Sequence, residues 1–244
     1  MDALPTLKNC QDHPAGCPSS EEPFLPTRAL DLIFKDKEHA LRRHVSCPGQ
    51  TAQYAAMSYC WGGPQKLITT AQSIHSMTTG FELETVPSIL RDAILVTRQL
   101  GIQYLWIDAL CIVQDSPSDR AIELSKMGDI YRNATVTIAS ENAASIRERF
   151  LKKFDEDRGF RLPFRLPGNK FAKLTLLGDR SLFQDRAPHQ LHAWILQETL
   201  LPSRLLTFGA KDVSWLQELL GSRNNPTARP SARLDTSAMV GDSS

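Results

Sequence analysis

The sequence predicts a doubly wound α/β domain, a parallel sheet with helices on both faces. Three observations carry this. Short apolar runs alternate with helical repeats between residues 54 and 139. The runs at Tyr54–Trp61, Ile102–Ile107 and Ala134–Ala139 are almost continuously apolar, as strands covered on both faces are. The helical segments fall between those runs, where right-handed crossovers between parallel strands require them.

The elements follow in order. Residues 1–26 hold five prolines and few large apolar residues, so a loose leader is expected. Leu30–Phe34 reads as a short strand and residues 35–53 as polar loop. Tyr54–Trp61 is a strand stopped by the turn signal Gly62-Gly63-Pro64. Val86, Ile89, Leu90, Ala93, Ile94, Thr97 and Leu100 recur at helical spacing. Pro87 suits the first turn of that helix and Gly101 its C-terminal stop. Ile102–Ile107 is the next strand, ending at Asp108. Residues 119–132 form a second helix, capped by Ser118 or Asp119, with Ile122, Met127 and Ile130 inward. Ala134–Ala139 is a β-branched third strand. This strand-helix order points to a flavodoxin-like core.

Past Ser140 the pattern weakens. Residues 141–170 are charged and irregular, Phe171–Leu177 reads as a strand, Trp194–Leu201 as helical, and Leu205–Phe208 as a strand. Residues 221–244 have the composition of a disordered tail. The expected organisation is a leader (1–26), an α/β core (27–150), an irregular α+β C-terminal extension packed on it (151–220) and the tail (221–244).

Composition removes several function classes. Lys+Arg 28 against Asp+Glu 27 leaves a net charge of +1, which gives no electrostatic argument for nucleic acid or an anionic membrane. No run approaches 18 consecutive apolar residues, so no membrane span is expected. The first 20 residues contain no apolar signal region. The cysteines, Cys10, Cys17, Cys47, Cys60 and Cys111, are odd in number and widely spaced. Together these point to free thiols in a reducing cytoplasm.

Four segments, in order, resemble a known family. They are Tyr54-Ala-Ala-Met-Ser-Tyr-Cys-Trp-Gly62, the helical stretch Val86–Gly101, the run Tyr104-Leu-Trp-Ile-Asp-Ala-Leu-Cys-Ile-Val-Gln-Asp115, and Lys126–Ser140. A later echo is Trp194–Arg204 with Phe208. The block is similar to the heterokaryon incompatibility (HET) domain of filamentous fungi. The resemblance implies a signalling module in non-self recognition and programmed cell death, working through self-association or protein partners. HET domains are regarded as distant relatives of TIR domains, some of which cleave NAD. It therefore also implies an alternative, a TIR-like NAD glycohydrolase. No cofactor is implied; NAD enters only as a possible substrate.

Candidate chemistry gathers where strands end. Asp108 follows a buried run, which places it at the carboxyl edge where open α/β sheets bind ligands. A carboxylate there can accept from ribose hydroxyls or act as a base; the competing reading is an Asp that caps its own loop. If the two strands pair, Ser58, Trp61 and Gly62 share this edge with Asp108, Cys111, Gln114 and Asp115. Gly62-Gly63 would admit a phosphate, or would simply form a tight turn. Cys60 and Cys111 are nucleophiles only with a neighbouring His; packing is the plainer role. Cys10, His13 and Cys17 supply three ligands where structural zinc takes four, so no metal site is assigned. Glu141 and Glu148 do not fall at the spacing of the TIR catalytic glutamate, so no such role is transferred to them. Glu123 reads as a solvated helix residue, and Met127 and Tyr131 share a packed helix face.

Overall fold

A computed structural model describes residues 22–34, 40–151, 160–166, 170–176, 198, 200–209, 213–217 and 232–233. The expected loose leader before residue 22, the Cys10–Cys17 cluster and most of the expected tail lie outside the described residues. The strands are β1 Arg28–Asp31, β2 Ala40–Val45, β3 Tyr54–Tyr59, β4 Phe81–Glu82, β5 Tyr104–Trp106, β6 Val136–Ser140, β7 Phe160–Leu166, β8 Lys170–Leu176, β9 Arg204–Phe208, β10 Val213–Gln217 and β11 Ala232–Arg233. The helices are α1 Ile74–Thr79, α2 Ser88–Gln99, the single turn α3 Asp108–Cys111 and α4 Pro117–Asn133.

The fold is mixed α/β. Among the described residues, nine strands form one sheet in the order β11-β10-β9-β6-β3-β5-β1-β2-β4, and β7 and β8 form a separate antiparallel pair. The central four strands, β5-β3-β6-β9, are parallel. The edges are antiparallel: β1, β2 and β4 beyond β5, and β10 and β11 beyond β9. The sheet is thus not uniformly parallel, as the sequence pattern suggested. Short connections join the antiparallel pairs β1–β2 and β9–β10, whereas β1–β5 and β2–β4 pair antiparallel across long stretches of chain.

Both faces of the central strands are covered. On β3, Ala55, Met57 and Tyr59 pack with Ile89, Leu90, Ala93 and Ile94 of α2. Tyr54 and Ala56 face the other way and pack with Met127, Ile130 and Tyr131 of α4. This two-sided burial is why β3 carries no polar alternation. α2 matches its predicted stripe, starts after Pro87, and is followed by Gly101 at φ +74. α4 begins two residues earlier than expected. Ser116 is its cap, accepting from the Asp119 amide, and Pro117 opens the first turn.

Four expectations fail for identifiable reasons. β2 lies in the expected loop 35–53; its inward positions are Leu41 and Arg43, and a buried arginine hides the alternation. Ile122 points to solvent and Glu123 inward, the reverse of the hydropathy reading. Glu123 lies beside Arg28 (3.7 Å) and Lys126 (3.1 Å), and those cations offset the cost of its burial. β7 falls in a stretch read as irregular, and it contains Pro163. Finally, β9 belongs to the main sheet beside β6, so the expected C-terminal extension supplies a central parallel strand.

Candidate functional site

The carboxyl ends of β3, β5 and β6 lie side by side. Ala56 is level with Trp106 across β3–β5, and Tyr59 is level with Ser140 across β3–β6. The expectation that Ser58–Gly62 and Asp108–Asp115 would meet at one edge rested on that pairing.

What meets there is specific. Trp61 Nε1 donates to Asp108 Oδ2 at 2.8 Å, joining the loop after β3 to the start of α3. Asp108 Oδ1 accepts from the Ala109 amide at 2.7 Å. Asp108 therefore bridges two loops and also ties down its own turn. Burial pushes its carboxyl up to about 6, while the donors Ala109 N–H, Trp61 and Tyr59 act to lower it. The Tyr59 hydroxyl exchanges hydrogen bonds with Gln65 at 3.2 Å. Burial, followed by the nearby Asp108 charge, raises that phenol well above its ordinary range.

Ser58 points to the α4 face. Its Oγ donates to Glu198 Oε2 at 2.5 Å, within the range for a hydroxyl on a carboxylate. Both residues are buried. Beside them the Tyr131 hydroxyl donates to the Met57 carbonyl, and burial followed by the charges of Glu198 and Asp108 raises its phenol. Glu198, Tyr59, Tyr131 and Gln65 were missed as candidates. Glu198 stands 140 positions from Ser58, so no local spacing could join them; the only sequence signal was its place in the Trp194–Arg204 echo.

The other candidates are engaged in the scaffold. Cys111 is buried; the Ile107 amide reaches its Sγ at 3.4 Å, and burial pushes the thiol up to about 12. That is the opposite of nucleophile activation. Gln114 Nε2 donates to the carbonyls of Asp108 (3.0 Å) and Ile112 (3.2 Å). Asp115 Oδ1 accepts from the Ala71 amide at 2.9 Å. Gly62 has φ +63, and a Cβ there would lie 2.7 Å from the Ala144 carbonyl oxygen and the Ser145 Cα. Its missing side chain admits the protein's own backbone. The loops after β3 and β6 leave the sheet in different directions, and such loops usually part around a ligand crevice. Here they touch. Gly63, at φ +122, has open space.

Among the described residues, no group of three or more His, Cys, Asp or Glu is placed to hold a metal ion. No helix among them is long and apolar enough to cross a membrane.

Neither the curated proteins nor the solved structures gave a match. A protein-family model, heterokaryon incompatibility protein (HET), matches residues 54–198. That span opens on β3, includes α2, β5, α4 and β6, and closes on Glu198, the partner of Ser58. With more than half of its length matched, the chain belongs to the heterokaryon incompatibility (HET) family.

Proposed function

We propose that the chain is a cytoplasmic signalling module of fungal non-self recognition, which couples a recognition event to programmed cell death through self-association or a protein partner. The observation that supports this best is the use of the strand edge as scaffold. Asp108, Gln114 and Asp115 bond loops of their own domain, and Gly62 packs on Ala144 and Ser145. An edge occupied in this way holds a surface in shape. Expression of the chain in a fungal host tests the reading. Growth arrest or death that persists in the Asp108→Asn and Glu198→Gln variants, together with concentration-dependent association of purified protein, is the expected result. Loss of killing in both variants, with folding and association intact, would sink it.

A second reading has its own observation. Ser58 binds Glu198 on one face of the edge, and Asp108 sits at the same edge with its carboxyl raised to about 6. A TIR-like, flavodoxin-type NAD glycohydrolase needs one group to orient ribose and a carboxylate to stabilise oxocarbenium charge. In this reading Asp108 takes the first role and Glu198 the second. Purified chain incubated with NAD should then release nicotinamide, and Glu198→Gln should slow release about 100-fold or more. No release at high protein concentration rules this reading out.

A further inference from the structure

Arg43 projects from β2 on the face shared with Leu30, the residue it lies opposite on β1. It is 2% exposed. Nη2 donates to the Ile74 carbonyl at 3.4 Å and to Thr78 Oγ1 at 3.2 Å, both on α1. These are long contacts for a charged donor. Its buried Nε and Nη1 have no hydrogen-bond partner. Among the described residues, no carboxylate lies within salt-bridge distance of it.

The neighbouring charges are already committed. Arg28, two positions along the same face of β1, grips Asp119 with both terminal nitrogens at 2.8 and 2.7 Å and lies 3.7 Å from Glu123. The Asp119 carboxylate also accepts from the Val113 amide. Glu123 is shared with Lys126. Cys111 is close enough to be felt, but its thiol is raised to about 12 and stays neutral. Two guanidinium groups therefore repel across this face, and only one of them holds a carboxylate.

A buried lysine or histidine in such a place would lose its proton. Arginine does not, and Asp119, the carboxylate that acts on it from a distance, is already held by Arg28, so its charge calls for a further anion. Thr78 is exposed, which puts the guanidinium one side chain below the surface. We propose that Arg43 is the anchor of an oxyanion site of the phosphate class, closed over by α1, with Nε and Nη1 as its unused donors. The site lies beside α3, apart from the Ser58–Glu198 pair, and does not depend on either functional reading above.

The test follows thermal unfolding of the full chain against inorganic phosphate, with sodium chloride at matched ionic strength as reference. Adenosine monophosphate is run in parallel. The expected result is a rise in Tm that grows with the logarithm of phosphate concentration above the dissociation constant, about 3–6 °C at ten times that constant. It should be lost in Arg43→Gln and displaced to higher phosphate in Arg43→Lys, which keeps a cation but not the planar fork. A larger rise with the nucleotide at equal concentration assigns the site to a nucleotide phosphate; an equal or weaker response assigns it to free phosphate. A phosphate response of the same size in Arg43→Gln reports general salt stabilisation and overturns the proposal. So does a response of the native chain to phosphate no larger than its response to sodium chloride at matched ionic strength. If Arg43→Gln does not fold, an unchanged phosphate response in Arg43→Lys overturns it.

Discussion

Replacing Gly62 by alanine tests how the candidate edge is closed. The residue sits at φ +63, a conformation that costs an L-residue about 1 kcal/mol. The new Cβ would also stand 2.7 Å from two backbone atoms, Ala144 O and Ser145 Cα. That is roughly 0.7–1 Å inside ordinary contact, and neither atom can rotate away. Overpacking of this kind adds about 1–3 kcal/mol. Gly49 supplies the comparison, since it has φ +79 with nothing within 4 Å of its would-be Cβ. Gly49→Ala should therefore lose only the backbone component. Urea unfolding followed by tryptophan fluorescence measures both. Gly62→Ala is expected to lose about 1–3 kcal/mol more than Gly49→Ala, and near-UV dichroism should change as Trp61 shifts against Asp108. Equal losses, within about 0.5 kcal/mol, would refute the claim that the loops after β3 and β6 are in enforced contact.

Other outcomes follow from the same geometry. Asp92 is wholly buried, with Arg149 Nε and Nη2 on one oxygen and the Phe150 and Leu151 amides on the other. Asp92→Ala strands these donors and should lower stability by about 3–5 kcal/mol, read as a shifted denaturant midpoint at unchanged slope. Glu123→Ala should cost about 1–2 kcal/mol by removing the second carboxylate beside buried Arg28, which keeps Asp119, while Asp129→Ala, which breaks an exposed pair with Arg132, should stay within about 0.5 kcal/mol. Asp108 titrates at about 6 in the folded chain, above its ordinary value, so the folded state holds a proton that the unfolded state releases. Stability should rise as pH falls from 6 towards 4, by about 1–2 kcal/mol allowing for its partial exposure, and the charge should cost stability above pH 6. Asp108→Asn should flatten that segment of the stability-pH curve.

Much of the core was legible because it rests on local pattern. Continuous apolar runs marked β3, β5 and β6, since strands buried on both faces admit few polar residues. A 3.6-residue repeat with Pro87 and Gly101 at its ends marked α2. The pairing of β3 with β5 then put Trp61 and Asp108 within reach of each other. What escaped notice required a distant partner. β2 was hidden because Arg43 occupies an inward position. Glu123 read as solvated until Arg28, nearly a hundred residues away, faced it.

The sequence by itself determined the family, the alternation of elements and the edge at which polar residues collect, because these follow from periodicity and ordered motifs. Only the tertiary structure decided how that edge is used. Whether Asp108 would face a cleft or brace a loop depended on where Trp61 folded back. Whether Gly62 would admit a ligand or a backbone depended on Ala144 and Ser145. Ser58 acquired Glu198 because β9, which follows Glu198 in the chain, lies beside β6. Such pairings are made by the packing of segments far apart in the chain, and hydropathy patterning carries no record of them.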